Sequence, residues 1–322
     1  MDMILATPDG REICVIPYDF DFELGGTNDF EVTLQYASWI DDIKIGCLVY
    51  VPDTEYGGII KKISSSTATG NISLSGYTWR GYLAHRIISP PAGSDYYTAN
   101  GELNTVIRAL VNIPMFVVTD ESTGINVNYR FNRYVDMAEG LEAMCESVGY
   151  RLDIQYKQTI SGGYVLVSAA KAGRYGDSIE YSQDSMIDFS SVNDDMGVNH
   201  LICLGTGELK NRIVRHLYAD RNGNISQTQT ITGIDEIVEV FENTGAEAAT
   251  LIETGTNRLK ELVSKKSFTP SLKEVEQELY IGDIVTGKDY ITGNRVTKPI
   301  TTKLIKRNNG DISTEYKIEG KS

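Results

Sequence analysis

The first ninety residues alternate. In FDFEL (Phe20 to Leu24) and FEVTLQY (Phe30 to Tyr36) apolar and polar side chains take turns, and Gly25, Gly26, Asn28 and Asp29 stand between the two runs. A period of two sends successive side chains to opposite faces of an extended backbone, so such a segment is stable as a sheet strand with one face buried. GCLVYV from Gly46, GGIIKKIS from Gly57 and NISLSGY from Asn71 continue the pattern, the last of them after the turn Thr69-Gly70-Asn71. The series predicts an antiparallel meander closing into a small barrel or sandwich.

From about Asn100 the period changes. NGELNTVIRALVN places Leu103, Val106, Ile107, Leu110 and Val111 on one helical stripe, with Asn100 as the expected N-cap and Pro114 as a stop. A second helix is expected behind Asp136, striped by Met137, Leu141, Met144, Cys145 and Val148 and ended by Gly149. YRLDIQYK and GYVLVSAA then read as a hairpin. Beyond 185 strands return in NHLICLG, NRIVRHLYA and IVEVFEN, interrupted by one helix over 245–265 whose Lys260, Lys265 and Lys266 suit a helix C-terminus. The expected fold class is α+β and β-rich. It has two β-barrel-like domains with an intervening small α/β domain, over 1–95, 96–184 and 185–322, and 322 residues suffice for each to bury a core.

The two β regions echo one another. IGCLVYV at Ile45 is matched by IGDIVTG at Ile281, and each is followed by a basic, apolar strand and a Gly turn into an Ile-Ser strand. Gly46 and Gly282 are expected at equivalent strand starts, and Gly70-Asn71 and Gly310-Asp311 at equivalent hairpin turns.

Chemistry is sparse. Cys14, Cys47, Cys145 and Cys203 are widely spaced without a histidine at ligand spacing, which reads as free thiols in a core rather than a zinc site. His85 has no Asp or Glu between Ile72 and Ala92 to orient it, and His200 and His216 read as strand residues. GTGELK at Gly205 lacks the glycine spacing of a phosphate cradle. Asp220, Asn222 and Asn224 resemble a calcium loop only until the distal glutamate is sought, so a hairpin is the better reading. Asp41-Asp42 and Asp194-Asp195 read as solvated acids. No catalytic, cofactor-binding or metal-binding residue is therefore expected. A net charge of −14 argues against a general grip on nucleic-acid phosphates. The acidic N-terminal stretch is not read as a signal peptide, and no window approaches the ~18 apolar residues of a membrane span.

The stretch SGYTWRGYLAHR, Ser75 to Arg86, interleaves aromatic and basic residues, but with two arginines and a histidine in an acidic chain it reads as scaffold. Together with GGTNDFEVTLQY, KIGCLVYV, YGGIIKKIS, the ELNTVIRALV helix and the late GDIV at Gly282 to Val285, it resembles the siphophage tail-hub family, the tail-associated proteins of tailed phages and prophages. The resemblance runs through nearly the whole chain and extends to the central hub of contractile-tail baseplates. It implies a non-enzymatic, structural virion protein of the tail tip or baseplate, made in the host bacterial cytoplasm. Such a protein is a homotrimer that adapts six-fold tail rings to a three-fold tip. The partners it implies are the distal tail protein, the tape-measure protein, receptor-binding proteins, and DNA in transit, for which an acidic wall would be a low-friction lining. Two rival readings remain: a tail-associated cell-wall hydrolase, and a tail-tip protein that binds host glycans through Trp39, Trp79 and the tyrosines.

Overall fold

The structure, a computed structural model, describes residues 2–159, 162–175, 187–263, 266–273 and 278–318. Two compact units emerge: Met1–Phe189 with Thr269–Lys288 and Arg295–Ser322, and Ser190–Phe268 with Asp289–Asn294.

In the larger unit the expected alternation becomes a sheet that curls into a half-barrel. Its strand order is Ile187–Asn193, Lys266–Lys273, Asp311–Lys317, Thr302–Asn308, Asp19–Leu24, Asp29–Gln35, Asn71–Thr78, Gly57–Ser66, Leu48–Tyr50, Ile4–Ala6 and Glu12–Val15, and residues 190–193 and 266–268 of the first two strands are counted with the smaller unit. Phe20, Phe22, Leu24, Phe30, Val32 and Leu34 fill one face, and Ile60, Ile72, Leu74 and Ile305 join them in a single core. Every second residue of FDFEL and FEVTLQ is buried, as the pattern requires.

Asn71–Thr78 leads directly into helix α1, Trp79–Ala84, whose first turn is capped by the Thr78 hydroxyl accepting from the Gly81 N–H. Helices α2 (Leu103–Leu110) and α3 (Met137–Glu146) follow, and all three share a second core with the sheet Phe116–Val118, Gly162–Lys171 and Tyr150–Thr159. Asp136 caps α3 as expected, its carboxylate accepting from the Glu139 N–H. The cap of α2 differs from expectation. Asn100 lies within the strand Thr98–Glu102, paired with Asn128, and Glu102 takes the cap by accepting from the Thr105 N–H. Burial pushes the Glu102 carboxyl up, but the Thr123 hydroxyl and the N–H groups of Thr105 and Thr123 outweigh this and hold it at about 2.

The echo has a structural counterpart within this unit. The Gly46 N–H donates to the Ile60 carbonyl at 2.9 Å, and the Ile60 N–H to the Cys47 carbonyl at 2.8 Å. The Gly282 N–H donates to the Ile300 carbonyl at 2.9 Å, and the Ile300 N–H to the Asp283 carbonyl at 2.8 Å. Even the residue after each glycine plays the same part: Cys47 Sγ accepts from the Lys44 N–H and Asp283 Oδ2 from the Tyr280 N–H. Gly46 and Gly282 share a positive φ, +98° and +90°, and each precedes a strand, Leu48–Tyr50 or Ile284–Lys288. Gly70 and Gly310 each sit just before the second strand of a hairpin, although the first turn joins Ser66 to Asn71 and the shorter second joins Asn308 to Asp311. The copies diverge at Ile300-Thr301, where the second leaves one sheet (Arg295–Pro299) for another (Thr302–Asn308), while Gly57–Ser66 runs on unbroken.

Across the large sheet the first four strands stand in chain order first, second, fourth, third. The next four, Asp19–Leu24, Asp29–Gln35, Asn71–Thr78 and Gly57–Ser66, repeat that order.

The smaller unit is a sheet in the order Ile225–Ser226, Val214–Ala219, His200–Leu204, Val238–Glu242, with helix α4 (Ala248–Leu262) packed on one face. Leu251 and Leu259 of α4 meet Leu201, Cys203 and Leu217 in its core. The helix is shorter than the expected 245–265: Lys260 lies in its last turn, Lys266 belongs to the following strand, and Lys265 lies outside the described residues.

Candidate functional site

The buried face of the large sheet leaves a second, polar face, and pairing in register decides what it carries. Lys306 stands opposite Asp21, Asp21 opposite Glu31, Glu31 opposite Ser75, and Ser75 opposite Lys62. This row crosses five strands at the floor of a groove of about 710 Å3. Asp19, Glu23 and Asp29 extend the acidic lining along the strands, and Lys61 joins Lys62 and Lys306, giving five carboxylates against three ammonium groups. Lys306 Nζ reaches Asp21 Oδ2 at 2.5 Å.

Like charges placed directly opposite on neighbouring strands destabilise a sheet. Asp21 and Glu31 are such a pair, and Glu31 has no lysine opposite on its other side, only Ser75. The acidity of this face therefore works against the fold that carries it. Replacing Glu31 with Gln is expected to stabilise the protein by ~0.2–1 kcal/mol, read as a raised urea midpoint at unchanged slope.

The residues weighed from sequence fall elsewhere. His85 Nδ1 lies 2.7 Å from the Gly81 carbonyl, and its ring packs on Tyr77 at 4.0 Å. Cys47, Cys145 and Cys203 are buried free thiols and Cys14 is half-buried; burial, with Glu142 beside it, pushes Cys145 up to about 12. Asp220 closes a hairpin turn, Oδ1 accepting from the N–H groups of Asn222 and Asn224. Asp42 meets Arg11 at 3.7 Å, and Asp194 accepts from the Met196 N–H. In the scaffold stretch Trp79 stacks on Tyr156 at 5.3 Å and Arg80 is buried between Glu55 and Glu142. His200 and His216, separate in sequence, are brought together in the smaller unit with Glu236.

A second polar cluster lies in the larger unit. Lys303 is buried against the rings of Tyr56, Tyr280 and Tyr316, at 4.9, 5.3 and 5.3 Å, beside a cavity of about 300 Å3. Burial holds its ammonium below the usual lysine range, in spite of Glu278 at 3.3 Å. It donates to Glu278 Oε1 and the Leu279 carbonyl and so ties elements together.

No protein-family model and no curated protein matches the sequence. Solved structures match over its full length. The 43 kDa tail protein of prophage MuSo2 from Shewanella oneidensis is 14% identical, covers 99% of this chain and 98% of its own, and superposes with a TM-score of 0.50. A chain of the phage P2 baseplate, in its activated conformation with Ca, is 11% identical over 100% and 99%, with a TM-score of 0.54. The fold is that of phage tail and baseplate proteins.

Proposed function

We propose that this chain is a structural protein of a phage or prophage tail, the hub of a tail tip in which three copies surround a DNA channel. The observation that carries this reading is the repeated first-second-fourth-third strand order. One chain contributes two equivalent four-strand blocks, and three chains contribute six, which suits a six-fold tail ring on one side and a three-fold tip on the other.

The seam inside the chain gives the joint a pattern. The last strand across one block, Thr302–Asn308, pairs with the first strand of the next, from Lys303 opposite Leu24 to Arg307 opposite Phe20. The corresponding strand of the other block, Gly57–Ser66, meets Leu48–Tyr50 only through Gly57, Gly58 and Ile59. Beyond Ile60 that edge has no strand partner among the described residues. A second copy joined there through its Ile187–Asn193 strand would repeat the internal seam head to tail, a contact that closes into a ring. In such a ring the groove of Asp21 and Glu31 lines the passage, and its carboxylates keep passing phosphates from adhering. The distal tail protein is the natural partner on the six-fold side.

Light scattering on the full chain, alone and with the distal tail protein, is expected to give a trimer mass in at least the second case. A monomer in both would overturn the reading.

A further inference from the structure

We propose that Glu236, His200 and His216 form a two-proton latch that holds segment 227–237 on the small unit's sheet at neutral pH and releases it in acid. This inference is independent of the proposed hub role. His200 is buried on the central strand His200–Leu204; its Nδ1 lies 2.6 Å from Glu236 Oε1 and its Nε2 lies 2.8 Å from His216 Nδ1. An ionised carboxylate only accepts, so His200 Nδ1 bears the hydrogen. In the neutral ring Nε2 then accepts, and His216 must present Nδ1–H. One arrangement of protons satisfies all three groups.

One proton can be placed on the outer Nε2 of His216, an exposed residue. The Nδ1–H of His216 still donates, and the chain of hydrogen bonds stays intact. A second proton has two places left. On His200 Nε2 it would set two N–H donors, on two cations, face to face; on Glu236 it would leave Oε1 only a neutral carboxyl acceptor and cancel the charge that holds His200 Nδ1–H. The first breaks a link and the other weakens one, so the latch gives way on the second proton and not on the first.

Few other groups hold the segment: the Ile237 carbonyl accepts from the Asn199 and His200 N–H groups at 3.0 and 3.1 Å, and Arg221 pairs with Asp235 at 3.0 Å. Asn199 Nδ2 donates to the Asp235 carbonyl at 2.7 Å and its Oδ1 accepts from the Ile237 N–H at 3.0 Å, and Gln229 Nε2 donates to Glu236 itself at 2.8 Å. Residues 227–236 place no side chain in the unit's core, and Ile234 is 99% exposed. The other charged and titratable groups around the pair are accounted for. Tyr218 stacks on His200 at 4.5 Å, and Asp235 pairs with Arg221 at 3.0 Å. From α4, Arg258 pairs with Glu239, which alternates with Val238 and Val240 and so belongs to the opposite face. Imidazole is the side chain whose charge changes between about pH 5 and 8.

The test is hydrogen exchange of the full chain, corrected for intrinsic rate, across pH 5 to 7.5. Amides in 229–237 are expected to lose protection by roughly tenfold or more at the acid end, with the steepness of two protons. In His216→Gln, whose amide donates to His200 but takes up no proton, the steepness should fall to one. In His200→Gln the segment should be unprotected at every pH. Protection that does not change with pH, a His216→Gln profile as steep as the native one, or loss of protection in Val214–Ala219 at the same pH would overturn the latch.

Discussion

Replacing Arg80 with Ala is expected to cost up to ~3–5 kcal/mol, because it leaves the mostly buried Glu55 and Glu142 carboxylates without their partner. The guanidinium is 1% exposed; it holds Glu55 through two hydrogen bonds, 2.6 and 2.9 Å, and Glu142 through a third at 2.6 Å. Burial alone would lower the Arg80 pKa, and the two glutamates outweigh it and raise it. Glu55 precedes the strand Gly57–Ser66 and Glu142 lies on α3, so one side chain on α1 ties the half-barrel sheet to the helical core. Against a total stability of about 5–15 kcal/mol, the loss should move the urea midpoint far to the left, with the fluorescence of Trp39 and Trp79 as the probe. Combining Arg80→Met with Glu55→Gln and Glu142→Gln removes the stranded charges and should recover much of the loss. If Arg80→Ala unfolds at the native midpoint, the clamp contributes nothing.

Gly25→Ala should be nearly as damaging for a different reason. Gly25 has φ +85°, and a Cβ there would sit 2.0 Å from the Thr301 carbonyl oxygen and 3.0 Å from Ile281 Cδ1. The left-handed backbone alone costs an alanine ~1–2 kcal/mol, and forcing extra volume into a packed site ~1–3 kcal/mol more. The oxygen it meets is backbone at the point where the chain passes from Arg295–Pro299 into Thr302–Asn308, so a rotamer change cannot relieve the contact. Gly93→Ala separates the two costs, because Gly93 has φ +81° with nothing within 4 Å of its added Cβ. Thermal unfolding should rank Gly25→Ala well below Gly93→Ala; equal midpoints would refute the close approach.

Gly25 also marks how far the sequence is legible. Its place in a turn between two alternating runs is plain from the chain, and the burial of Phe20, Phe22 and Leu24 follows from period alone. That Thr301 closes over the turn is set by pairing between residues far apart, which no local pattern records. The same limit hides the groove. Asp21 and Glu31 can each be assigned to the polar face of a strand, but only register places them opposite one another. His200, His216 and Glu236 meet because His200–Leu204 pairs antiparallel with Val214–Ala219 and parallel with Val238–Glu242. The cap of α2 is a local miss: Asn100 is a good cap residue, but its backbone is committed to the ladder with Asn128, while Glu102 with Thr105 three residues on was the available signal.

The seam between Asp19–Leu24 and Thr302–Asn308 also sets a timetable for synthesis. Lys303 leaves the ribosome roughly 280 residues after the Leu24 it pairs with, an interval on the order of 15–60 s at about 5–20 residues per second. Throughout that interval the FDFEL strand carries an open row of amide and carbonyl groups beside three large apolar side chains, a template for any other nascent copy on the same message. The acids that alternate with them, Asp19, Asp21 and Glu23, repel an identical strand laid alongside. The charges that line the groove of the finished protein thus guard the unfinished one until its own last strands arrive.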